Sequence, residues 1–249
     1  MLNNEQIFDT VMLAGSLLLT SGAEIHRVEE TMELMARKAG LSNVEVFATP
    51  TGIFMTAKSP EDRVYTRVRR IRRVDNDLSK IAQINSLSRA FMDGMPIEEV
   101  LEELKKIQAT ENKYNWKIRA IGGIGSGSFA YLFGGNTWEA ILGAIIGFTI
   151  LTMVDVIGEH RVPRFLLTMA GGALAAIMCK IFVLFFDLDR DIIILSGVMV
   201  LVPGVLITTA VRDVISGELL SGVARSAEAA TIAVAVAAGV ALVLGWGGA

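Results

Sequence analysis

The chain is short of the residues that most often carry chemistry in a soluble protein. It holds one cysteine, Cys179, and two histidines in 249 residues. A lone cysteine closes no internal disulfide, so a disulfide scaffold is excluded. No His/Cys spacing fits zinc, and no nucleophile motif or cofactor loop appears, so neither a metal nor a cofactor is expected and the chain does not read as an enzyme. GGIGSGS lacks the Lys-Ser/Thr pair of a phosphate loop, and no ATP motif points to a primary pump. Charge is scarce too, at 20% of residues against 52% hydrophobic, where a soluble domain carries ~25% charged. The net charge is −3, too little basicity for a nucleic-acid partner. The opening MLNNEQIFDTVMLAGS has no basic residue ahead of its apolar stretch, so no secretory signal is expected.

What charge there is sits unevenly. Residues 1–116 hold 15 Lys and Arg with 17 Asp and Glu, against 8 and 9 in residues 117–249. The division predicts an α+β cytoplasmic N-terminal domain, 1–116, followed by an all-α membrane domain of five transmembrane helices, 117–249. The five apolar stretches run roughly 118–136, 138–157, 164–186, 192–211 and 226–246. Lys117 and Arg119, then Arg161 and Arg164, then Arg212 and Arg225 mark alternate ends of these stretches, whereas GGNTW and FDLDRD do not gather basic residues. Basic loops stay cytoplasmic, so the polar domain is expected inside and the C-terminus outside. Small residues four apart, at Gly123–Gly127, Gly143–Gly147 and Gly171–Ala175, predict close helix packing in lipid.

In the polar part, residues 4–39 read as helical, with Ser21-Gly22 a possible break and Gly40 ending the run. VEVFAT (44–49), GIFMTA (52–57) and VYTRVRRI (64–71) read as strands. Helices are expected from Asn76 or Asp77 to Met92 and again after Pro96, with residues 110–116 linking to the membrane part. Residues 63–73 hold six arginines. Such a run is either a solvated face or a contact for anionic lipid.

Candidate site residues fall in three places. In the first helix Glu24, Arg27 and Glu30 lie just past Ser21-Gly22. Between two strands, Thr49, Pro50, Thr51 and Gly52 form either a plain turn or a loop presenting hydroxyls and amides to a ligand. In the fourth stretch Pro203 removes a helix donor and Gly204 lets the chain unwind, which predicts a broken span. Transporters hold carboxylate substrates at such breaks. Thr208 and Thr209 follow one turn on, and then Arg212, Asp213, Arg225 and Glu228. Ionisable groups near spans are costly and either pair or serve a pathway. Arg212 and Arg225 are therefore candidates for substrate carboxylate, and Asp213, Glu228 and Asp155 for proton coupling. Arg225 and Glu228 are also spaced to pair locally, three residues apart.

Taken together, SGAEIHRVEETMELMARKAG, TPTGIFMTA, LVPGVLITTAVRD and SGELLSGVARSAEA resemble the threonine/serine exporter family, in the expected order over nearly the whole chain. Its Gly-x-Glu-x-x-Arg-x-Glu-Glu run matches Gly22, Glu24, Arg27, Glu29 and Glu30. Its Pro-Gly and Arg-Asp pairs match 203–204 and 212–213. The resemblance implies a secondary exporter of small amino acids or of a small dicarboxylate. Full-length members carry a second membrane block, so it also implies that this chain is the large subunit of a hetero-oligomer with a small four- or five-span membrane subunit. The rival readings are a membrane enzyme, or a membrane-anchored ligand-binding sensor or scaffold without transport activity.

Overall fold

The computed structural model describes residues 2–72, 74–110, 116–158 and 162–245. Arg73 of the arginine run, Arg161 of the second basic loop and most of the 110–116 link lie outside the described residues. The chain forms two compact units, Met1–Glu111 with Val205–Ser226, and Asn112–Gly204 with Ala227–Ala249.

In the first unit, α1 (Asn4–Thr20) begins with a reciprocal cap between Asn3 and Gln6. The predicted helix over 4–39 is interrupted. α1 stops at Thr20, and α2 (Ile25–Lys38) starts after a four-residue break. Gly22 sits there at φ +86°, and a Cβ would stand 2.9 Å from the Asp75 carbonyl oxygen, so a left-handed backbone and a close neighbour both ask for glycine. Three strands follow as an antiparallel sheet in chain order: β1 (Ser42–Thr49), β2 (Gly52–Lys58) and β3 (Val64–Arg70). Val44, Ala48, Ile53, Met55 and Ala57 are buried and share one core with Phe8, Leu18, Ile25 and Met32. α3 (Leu78–Met92) is capped by Asp77, whose side chain accepts from Lys80 N, and α4 (Ile97–Ala109) starts after Pro96 and buries Val100, Leu104 and Ile107.

In the second unit, α5 (Trp116–Leu132) and α6 (Thr137–Gly158) lie against each other through small residues. A Cβ on Gly127 would fall 2.2 Å from the Ala140 carbonyl oxygen, an approach only glycine permits. α7 (Arg164–Val183) and α8 (Arg190–Val198) follow, and a 3-10 turn, Met199–Leu201, ends the latter. α9 (Gly204–Ile215) and α10 (Leu219–Gly245) complete the chain. Lys180, inside an apolar helix, donates to the Val243 carbonyl oxygen at 2.6 Å. The buried Glu139 accepts from Asn136 N at 2.7 Å and Asp189 N at 2.8 Å.

The expected five transmembrane helices are not found. Among the described residues three helices are long and apolar enough to cross a membrane: α6, α7 and α10. The pair Arg190–Leu201 and Gly204–Ile215, bent at its break, makes at most a fourth. α5 has only 17 residues, or ~25 Å of helix against ~30 Å of hydrocarbon. The stretch 192–211 is not one rod, because Pro203 cannot continue the helix and Val202 is extended at φ −64°, ψ 127°. Nor does an α+β domain simply precede an all-α one. Val205–Ser226 belongs to the first unit, so the N-terminal part is completed from the end of the chain.

Candidate functional site

The first unit gathers ionisable residues where α9 and α10 meet the break between α1 and α2. The two late helices form a tight hairpin. Gly217 turns the chain at φ +91°, and Glu218 N donates to the Asp213 carbonyl oxygen at 2.8 Å. A Cβ on Gly222 would lie 2.3 Å from Val214 Cγ2 and 3.0 Å from the Ala210 carbonyl oxygen, so the helices touch backbone to backbone. This sets Asp213 of α9 beside Arg225 of α10, with Arg225 Nε 3.4 Å from Asp213 Oδ2. Both side chains are buried, at 0% and 5% exposure.

Each member of this pair also serves the α1–α2 break. Glu24 occupies the N-cap position of α2 but gives no side-chain cap. Asp213 Oδ1 accepts from Ile25 N at 3.4 Å instead, a long contact at a helix start where negative charge is favoured. Arg225 Nη2 donates to the Ala23 carbonyl oxygen at 2.9 Å. Among the described residues Asp213 Oδ2 has no hydrogen bond, although it faces Arg225. One residue before Asp213, Arg212 Nη1 donates to Glu24 Oε1 at 2.6 Å. The Arg212 side chain is 69% exposed and that of Glu24 17%. His26 Nε2 lies 3.7 Å from the other oxygen of Glu24. The result is a chain of alternating charge, Arg212–Glu24 at the surface and Asp213–Arg225 beneath, anchored on backbone groups of the break.

Other candidates stand apart from this cluster. Arg27 and Glu30 are exposed on α2. Thr49–Gly52 is the β1–β2 turn, in which the hydroxyls of Thr49 and Thr51 lie 3.3 Å apart and Thr49 also meets the Gly52 carbonyl oxygen at 3.3 Å. Thr208 and Thr209 both donate to the Val205 carbonyl oxygen, at 2.9 and 2.5 Å. Pro203 and Gly204 stand at the break before α9, with Gly204 N donating to the Val202 carbonyl oxygen at 2.9 Å. In the second unit Glu228 pairs with Arg164 at 3.0 Å rather than with Arg225, and Asp155 lies 3.8 Å from Arg119.

Glu29 adds a residue that the sequence reading quoted without assigning it a role. From α2 its Oε1 accepts from Ala48 N at 2.6 Å, at the end of β1 beside the Thr-Pro-Thr-Gly turn. Burial raises its carboxyl above the usual range, opposed by that backbone hydrogen bond, and the nearby Glu218 and Glu33 raise it further. Its place next to Glu24 and Glu30 in one acidic run was the available hint. Periodicity alone does not separate it from its exposed neighbours. Among the described residues no three His, Cys, Asp or Glu groups are placed to hold a metal ion.

Apolar helices of spanning length mark a multi-pass membrane protein. The chain belongs to the threonine/serine exporter family: a family model described as "Putative threonine/serine exporter" matches residues 9–246. A "Threonine/serine exporter" of Corynebacterium glutamicum is 24% identical over 92% of this chain and 48% of its own length. A "Probable threonine/serine exporter" of Mycobacterium tuberculosis is 22% identical over 96% of this chain and 46% of its own. A "Probable succinate transporter subunit YjjP" of Escherichia coli is 25% identical over 94% of this chain and 92% of its own. The chain thus spans about half the length of the two exporters and nearly all of the subunit. No solved structure matches it.

Proposed function

We propose that this chain is the large subunit of a secondary transporter that exports small carboxylate-bearing metabolites, threonine and serine or a small dicarboxylate, across the inner membrane. Proton coupling drives it, and a small four- or five-span membrane subunit completes it. The first unit faces the cytoplasm and the C-terminus lies outside.

The observation that carries this reading is the paired charge at the α1–α2 break. Arg212 is the exposed cation of the cluster and already holds a carboxylate, that of Glu24. A substrate carboxylate offers the same two oxygens and displaces Glu24, which opens the cytoplasmic gate formed with Arg27, Glu30 and the Thr49–Gly52 turn. Asp213, buried against Arg225, is the carboxylate whose protonation releases the hairpin from Ile25 N and Ala23. Glu228 and Asp155 of the second unit are further carboxylates for coupling, and Pro203, Gly204, Thr208 and Thr209 are further residues for the substrate. Support for a carboxylate substrate comes also from the relatives, whose names specify threonine and serine or succinate.

The test is counterflow in liposomes containing this chain and its small partner, with labelled threonine, serine and succinate. One of the three should exchange, and Arg212→Gln should lower that exchange at least tenfold at equal protein incorporation. Undiminished exchange by Arg212→Gln removes this role, and exchange by neither substrate class removes the proposal.

A further inference from the structure

The arginine-rich end of β3 takes no part in the ion-pair cluster, and its arginines are not alike. Along β3, Tyr65 packs on Phe8 of α1 at a ring separation of 6.0 Å. Arg67, two residues on, pairs with Glu5 and, at 3.0 Å, with Asp9 of the same helix. Arg63 has Glu61 at 3.9 Å. Arg69, Arg70 and Arg72 have no carboxylate partner among the described residues. All three line one cleft of about 320 Å³, together with Ser16 and Thr20 of α1 and Gln108 of α4. Among the described residues no acidic one lines it.

Three like charges around one concavity repel each other. In a chain with 26 acidic and 23 basic residues, their common lack of partners is not forced by composition. A cleft lined by one sign of charge concentrates the opposite ion. The donors are well suited to a particular ion. The Ser16 hydroxyl already donates to the Leu13 carbonyl oxygen at 2.9 Å, and that of Thr20 to the Ser16 carbonyl oxygen at 2.8 Å. The cleft therefore offers guanidinium groups and the Gln108 carboxamide. Guanidinium forks match the oxygens of phosphate in pairs, and three forks suit a group with three free oxygens better than a two-oxygen carboxylate.

We propose that the cleft formed by Arg69, Arg70 and Arg72 binds a phosphate monoester, as a ligand site separate from the carboxylate-handling cluster at Arg212. The monoester is carried by a soluble phosphorylated metabolite or by a phospholipid headgroup. The two sources share this chemistry and are separable by experiment. The full chain is placed in nanodiscs of phosphatidylcholine alone, or with added phosphatidic acid, and treated with phenylglyoxal. Modification at each arginine is read by mass spectrometry. Inorganic phosphate in the neutral nanodiscs should slow modification of Arg69, Arg70 and Arg72 at least threefold and leave Arg63 unchanged. Protection by phosphate points to a soluble ligand, and protection by phosphatidic acid alone points to the headgroup. Either supports the site. The Arg70→Gln/Arg72→Gln variant should then lose protection at Arg69. Equal reactivity of all four arginines under every condition, or protection of Arg63 as strong as that of the cleft, overturns it. The wild-type measurement needs no variant to fold.

Discussion

Asp213 and Arg225 are buried charges of the α9–α10 hairpin itself, and each does two jobs with one charge. They neutralise each other, and they satisfy backbone groups at the α1–α2 break. Losing one partner of a buried pair leaves the other charge uncompensated, at a cost of about 3–5 kcal/mol, whereas losing both together can be close to neutral. Asp213→Ala should therefore lower the midpoint of thermal aggregation in detergent markedly. Asp213→Ala combined with Arg225→Leu should recover most of that loss, although the Ala23 contact is gone. A double variant no more stable than the single one would show that the two residues act separately. Glu24 and Arg212 differ in kind. An exposed pair is worth ~1 kcal/mol or less, so Glu24→Gln serves to probe gating rather than stability.

At the scale of the element, small residues decide how close two helices come. Gly125 and Gly127 are two positions apart on α5, yet a Cβ on Gly125 meets nothing within 4 Å while one on Gly127 would lie 2.2 Å from a backbone carbonyl oxygen of α6. Overpacking of this kind costs typically ~1–3 kcal/mol, and more where backbone must move. Gly127→Val should broaden or abolish the monodisperse peak in size-exclusion chromatography, and Gly125→Val should leave it intact. Equal behaviour of the two would mean that α5 and α6 do not approach this closely. The Gly127 contact follows from small-residue spacing, which is visible in sequence. The strands were visible too: 44–49, 52–57 and 64–71 against Ser42–Thr49, Gly52–Lys58 and Val64–Arg70, because β-branched residues bounded by Pro and Gly leave few alternatives. The run 4–39 carries its possible break at Ser21-Gly22, and the chain breaks there; what the sequence does not show is the close approach of Gly22 to Asp75 that goes with it, a tertiary contact. Of the five apolar stretches, 118–136 yields a helix of only 17 described residues, α5, and 192–211 is bent at its break, and hydropathy registers neither feature. Of the ion-pair cluster, Glu24, Arg212, Asp213 and Arg225 were each named. Their partnerships were not, since Glu24 and Arg212 are 188 residues apart and Arg225 and Ala23 are 202 apart, and no local pattern spans such distances.

At the scale of the whole molecule the question is which side of the membrane each polar segment occupies. The proposed orientation puts the first unit inside, because the hairpin that carries Arg212 and Arg225 belongs to it and basic turns are retained in the cytoplasm. The native chain is a convenient background for a labelling test, since Cys179 is its only cysteine and is buried. Between Glu61, exposed between β2 and β3, and Asp187, exposed after α7, the chain passes two helices of spanning length, α6 and α7, so cysteines placed at the two positions should report the same side. A membrane-impermeant maleimide added to intact cells should spare both Glu61→Cys and Asp187→Cys until the cells are permeabilised. Labelling of Glu61→Cys from outside would invert the direction of transport implied by the Arg212 gate. Labelling of Asp187→Cys alone would mean that a third helix, α5, also crosses between the two positions, and the number of crossings would return to the one that the apolar stretches suggest.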